Sequence, residues 1–153
     1  MVTPPPPVDL TGWGQVDHSA RRATNRTTLR GASGAAVDVE LVRCAAGRLR
    51  EAYPVSEHDV EVRVGAASAG GVEPAALTAL LGDLVQAVLA SDPECRRVVL
   101  AIPEGDLEVL AAAEDAGFRY VVDVDLPDEA VSLAVAEPAW VTAIDMDLDH
   151  VPT

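Results

Sequence analysis

Aromatic residues are nearly missing from this chain: Phe, Trp and Tyr together make up 3% of its 153 residues. A core must therefore be assembled from Val, Leu and Ala. Cysteine is as scarce. Cys44 and Cys95 are too few and too isolated for a disulfide framework or a zinc site, so a reducing cytoplasm is the expected compartment. Basic residues number 11 against 25 acidic ones, a formal net charge of -14. Such a field repels phosphate backbones and anionic headgroups, so neither nucleic acid nor a membrane surface is expected as a partner. It attracts amines and basic proteins, although an acidic surface also serves plain solubility. No secretory leader and no long apolar run stands out. His18, His58 and His150 are too scattered to form a ligand set, so no metal is expected.

What is present fits one domain, since 153 residues can bury a single sizeable core. Residues 1–11, with Pro4 to Pro7 in a row, read as a flexible proline-rich tail, and residues 12–153 as the domain. Residues 12–34 pattern weakly, with one short strand expected near Thr27 to Arg30. Val37, Leu41, Cys44, Ala45 and Leu49 recur at helical spacing, which predicts a helix over Val37 to Ala52. Val60, Val62 and Val64 alternate with Glu61 and Arg63, the period of a strand. A loop over Gly65 to Gly71 follows. Pro74 then opens a helix whose apolar stripe runs through Leu77, Leu80, Leu81, Leu84 and Val88 to Leu89.

Arg97 to Ile102 reads as a buried strand, and Asp106 to Ala116 as a short helix stopped by Gly117. Phe118 to Leu126 and Ala130 to Ala136 flank a Pro127, Asp128, Glu129 turn, which predicts an antiparallel hairpin. A last alternation from Trp140 to Leu148 suggests one more strand, with Asp145, Asp147 and Asp149 on its solvent face. The fold class is thus α/β (α+β): a mixed, mostly antiparallel twisted sheet flanked by helices. Leu81, Leu84, Val99, Leu100, Phe118 and Leu133 are the expected core.

The order Cys95-Arg-Arg-Val-Val-Leu, Asp106 to Glu114, Ala116-Gly-Phe-Arg-Tyr-Val, Asp123-Val-Asp-Leu-Pro and Val131-Ser-Leu-Ala-Val resembles the C-terminal half of the GNAT superfamily of N-acetyltransferases. The resemblance covers roughly Val60 to Pro138. It implies a GNAT-like sheet, a coenzyme A thioester such as acetyl-CoA or another acyl-CoA as donor, and an amine as acceptor. In that superfamily spaced glycines at the start of the long helix offer N–H groups to a pyrophosphate. Here Gly70-Gly71-Val72-Glu73-Pro74 stands there, where Glu73 brings a negative charge and Pro74 lacks a donor. Asp106 and Ala113 take the places where the family often has an Asn and a thiolate-protonating Tyr.

On this resemblance Glu61 is the candidate base, with His58 just before it. Alternation alone gives Glu61 a plainer role, as a strand residue facing solvent. Val64, Gly65, Ser68, Gly70 and Gly71 are the candidate cofactor-binding residues, lining a cleft where the strands splay. Cys95 reads as a small buried hydrophobe. Two functions follow: a divergent GNAT-like N-acyltransferase, or a catalytically inactive GNAT-like binding or regulatory module that has lost its coenzyme site and offers a partner, or a second copy of itself as a homodimer, its surface.

Overall fold

A computed structural model describes residues 14–21, 24–30, 36–66 and 73–138. The tail before residue 12, the expected strand from Trp140 to Leu148, its aspartates, and Ser68, Gly70 and Gly71 lie outside the described residues. In chain order the elements are β1 (Gly14–Arg21), β2 (Thr24–Arg30), β3 (Ala36–Arg43), a 3-10 turn (Cys44–Ala46), β4 (Val60–Ala66) and α1 (Pro74–Ser91). After these come β5 (Val98–Pro103), α2 (Leu107–Asp115), β6 (Arg119–Asp125) and β7 (Ala130–Ala136). They form one seven-stranded sheet in the order β1-β2-β3-β4-β5-β7-β6. All neighbours are antiparallel except β4 and β5.

The predicted helix over Val37 to Ala52 is not there: its first half is β3, and a 3-10 turn follows. Val37, Val39 and Leu41 are fully buried on one face of that strand, between β2 and β4. The spacing from Val37 to Leu41 suits both a turn of helix and every second residue of a strand. Branched Val37, Val39 and Val42 tip the balance once two neighbouring strands offer ladders. Where one short strand is expected near Thr27 to Arg30 the structure has two, β1 and β2, and the other expected elements among the described residues form where their patterns place them. Pro74 begins α1, and Asp106 caps α2 by accepting from the Val109 amide at 3.2 Å. Gly117, at φ 103°, ends that helix, letting the Phe118 amide turn back to the Ala113 carbonyl at 2.9 Å.

Helix α1 is long and apolar enough, by length and composition, to cross a membrane. In this fold it lays Leu80, Leu81, Leu84, Val85 and Val88 on the sheet, within a core shared with Val60, Val62, Val98, Leu100 and Phe118. Helix α2 lies beside it, where the Thr78 hydroxyl donates to the Ala112 carbonyl at 3.2 Å. The opposite face carries a smaller core of Leu49, Val99, Leu126, Val131, Leu133 and Val135, covered by Ala52, Tyr53 and Val55 from the β3–β4 connection. All six residues expected in the core are buried, and so are both cysteines. Burial raises both thiols, Cys95 to about 12, which leaves them poor nucleophiles.

Candidate functional site

The parallel ladder between β4 and β5 is short. It pairs Val60 with Val98, Glu61 with Val99 and Val62 with Leu100, and there it stops, although β4 runs on to Ala66 and β5 to Pro103. Peptide groups of a strand face alternate neighbours, and the Val60 amide donates to the Arg97 carbonyl on the β5 side. By the same alternation the main chain of Val64 faces the side from which β5 has departed. This gap is where the sequence places the splayed strands, and Val64 and Gly65 are at its edge. Among the described residues, nothing lies within 4 Å of where a Cβ on Gly65 would stand.

Beside the gap, on the face away from α1, a cleft of about 310 Å³ is lined by Arg26, Asp38, Glu40, Arg63, Val64 and Gly65. Its charges are paired across neighbouring strands. Glu40 stands directly opposite Arg63 in the register, at 3.1 Å, and Asp38 accepts from the Thr28 hydroxyl at 2.6 Å. Next along β4 comes Glu61, and it does not face solvent. Its side chain is 0% exposed, because the β3–β4 connection folds over it. Arg48 of that connection reaches its Oε2 at 3.0 Å, and Arg63 reaches the same oxygen at 3.1 Å. Arg48 continues to Glu129 in the β6–β7 turn at 2.9 Å, so Glu61 is the centre of a charged network.

His58 is at the other end of β4. Val60 to Val64 alone covers about 13 Å at roughly 3.3 Å per residue, so the structure does not bring His58 to the gap. Its Nε2 lies 3.1 Å from Glu94, and its carbonyl accepts from Arg43 at 2.7 Å. Arg43, 1% exposed, also meets Asp92 at the end of α1 at 2.6 Å. The neighbouring Asp59 is fully buried, accepts from the Ser56 amide at 2.8 Å and pairs with Arg97 at 3.3 Å. Burial pushes its carboxyl above the usual 3.8 despite Arg97. Between those two values the folded state holds more protons than the unfolded one, so stability falls as pH rises through that window. Denaturant melts at a series of pH values above 3.8 should show this slope in the parent and lose it in Asp59→Asn; equal slopes would contradict the assignment.

At the start of α1, Glu73 occupies the N-cap position without a side-chain capping bond, and Pro74 follows at the first helical residue. Ala113 is fully buried against α1, so no hydroxyl is presented from that position. The sequence reading missed Asp38, Glu40, Arg48 and Arg63 as members of the site. Arg63 and Glu40 carry a cross-strand signal, which the helical reading of Val37 to Ala52 concealed. Arg48 carries none.

No protein-family model matches the sequence, and no curated protein matches it. Solved structures do match. An uncharacterized protein from Bacillus halodurans superposes with a TM-score of 0.64 at 21% identity, over 73% of this chain and 58% of its own. The aminoglycoside acetyltransferase AAC(6')-Ib, with coenzyme A and kanamycin, gives 0.63 at 17% over 76% and 68%. A spermidine N-acetyltransferase SpeG chimera from Vibrio cholerae and hSSAT gives 0.54 at 12% over 75% and 67%. The chain thus spans between 58% and 68% of these neighbours' lengths. With a mixed sheet parted between β4 and β5, and the same architecture as these acetyltransferases, the chain has the fold of the GNAT superfamily in a divergent sequence.

Proposed function

We propose that the protein is an N-acyltransferase that moves an acyl group from a coenzyme A thioester to a cationic amine. The observation that carries this reading is the gap beyond the Val62–Leu100 pair, opening beside a cleft that contains two carboxylates. The Val64 main chain and the open side of Gly65 fit the thioester's amide-bearing arm, offering hydrogen bonds that the sheet leaves unused. The diphosphate end fits less well, because Glu73 adds like charge and Pro74 offers no donor. A thioester supplies an activated carbonyl carbon and a thiolate leaving group.

The residues of this chain have the other tasks. An acceptor amine enters protonated and can be held by Asp38 and Glu40, whose charges Arg26 and Arg63 balance in the same cleft. It must then lose a proton before it can attack. Glu61 is enclosed by Arg48 and Arg63, so Glu40, whose pairing with Arg63 uses one oxygen, is the carboxylate open to receive it. That two neighbours are by name aminoglycoside and spermidine acetyltransferases supports a polyamine-like acceptor.

The test is acetyl-CoA-dependent release of free thiol with spermidine and kanamycin as acceptors. Turnover is expected, falling about tenfold or more in Glu40→Gln with the melting temperature retained. Parent affinity for acetyl-CoA is expected to be weaker than about 10 μM. Glu73→Gln combined with Pro74→Gly should tighten it by removing repulsion and restoring a donor. Thiol release no faster than without acceptor would overturn the proposal.

A further inference from the structure

The chain contains no lysine, so all 11 of its basic residues are arginine. Three of them, Arg96, Arg97 and Arg119, line one cleft of about 310 Å³ together with Tyr53, Ser56 and Glu137. This cleft lies where β5 begins, on the face that carries the smaller core, at the far end of β4 from the gap. In a protein with a net charge of -14, this hollow sets three guanidinium groups against the carboxylates of Asp59 and Glu137, a local excess of positive charge.

Two of these arginines, Arg97 and Arg119, are held in place by contacts around the hollow. Arg97 donates from Nε toward Asp59 at 3.3 Å and from Nη1 to the Tyr53 hydroxyl at 3.3 Å, with its guanidinium 5.6 Å from the Tyr53 ring centre. Arg119 meets Glu137 at 2.6 Å through Nη2. Each guanidinium has five donors in a fixed fork, so these contacts leave Arg97 and Arg119 with further donor capacity. The Tyr53 oxygen accepts from Arg97, which frees its own proton to be donated. The Ser56 hydroxyl lines the same hollow.

We propose that this cleft binds a phosphate group, as free phosphate or as a phosphate monoester. A carboxylate offers two oxygens, whereas a phosphate offers at least three and can accept from guanidinium forks on several sides, with hydroxyls filling the remainder. Because β4 separates this cleft from the gap, the site is independent of the proposed thioester site.

Isothermal titration calorimetry of the full chain at constant ionic strength tests this with inorganic phosphate, phenyl phosphate and benzoate. Saturable one-to-one binding of at least one phosphate probe is expected; phenyl phosphate binding marks a monoester site, and inorganic phosphate binding alone marks a free-anion site. The double variant Arg96→Gln, Arg119→Gln should weaken binding about tenfold or more, while Arg50→Gln, outside the cleft, leaves it unchanged. Saturating S-acetylpantetheine, which has the thioester arm and no phosphate, should not displace the probe. Absence of binding up to about 10 mM, equal binding of benzoate, displacement by S-acetylpantetheine, or an equal loss in Arg50→Gln would each overturn the proposal. A retained melting temperature in the double variant assigns any loss to the cleft itself.

Discussion

Replacing Arg43 with Ala is expected to destabilise the protein by about 3–5 kcal/mol, the cost of removing one partner from a buried charge pair. Arg43 is 1% exposed and ties together three elements: its own strand end, the His58 carbonyl before β4, and Asp92 after α1. Without it, the Asp92 carboxylate loses its charge partner and the His58 carbonyl its donor, in a place that little water reaches. The volume of a long side chain is lost as well. Arg43→Met separates these contributions, because it restores the volume and not the charge. Urea denaturation should show a lower midpoint at unchanged slope for both variants, with Met the milder. A loss below about 1 kcal/mol for Ala would mean that solvent readily replaces Arg43.

Glu61→Ala is expected to cost about 3 kcal/mol, the lower part of the same range. Arg48 and Arg63 are 29% and 38% exposed and each keeps a second carboxylate, Glu129 and Glu40, so water and those partners absorb some of the loss. Glu61→Gln keeps the shape and one acceptor oxygen, and its cost should be about 1–3 kcal/mol. This pair of variants also separates two roles for the residue. As the centre of a charged network, Glu61 affects melting temperature in both variants, and thiol release by molecules that remain folded stays substantial. If Glu61→Gln melts like the parent and releases no thiol, the residue is the base after all, and Arg48 must move aside during turnover.

Much of the fold was legible because its patterns leave one interpretation open. The alternation of Val60, Val62 and Val64, the broad stripe of α1, and the turn between two β-prone runs at Pro127 each suit a single element. The segment from Val37 to Leu49 suits two. Its outcome was decided by β2 and β4, partners that lie outside the segment. Glu61 shows the same limit within the site. Alternation correctly sets it opposite Val60 and Val62, but its burial depends on Arg48, which arrives from a connection with no regular pattern. The gap also has no local mark, since Val64 is as suited to pairing as Val60. What ends the ladder is the divergence of β5, a property of the whole sheet.

The β4–β5 seam is where the sheet is tied together least. Every other pair of neighbouring strands is joined over six or seven residue pairs, whereas this one has three. On one side of it lie four strands linked in sequence as an antiparallel meander; on the other lie β5, β7 and β6, linked through α2 and a tight turn. The seam pairs Val60 with Val98, a separation along the chain as long as that of Val98 with Ala136 inside the second leaf. Loop closure therefore does not single out the seam, but its short ladder makes it the weakest joint of the sheet to hold. On partial unfolding the two leaves are expected to part first there, and the edge where the ladder stops is the edge at which the proposed ligand enters.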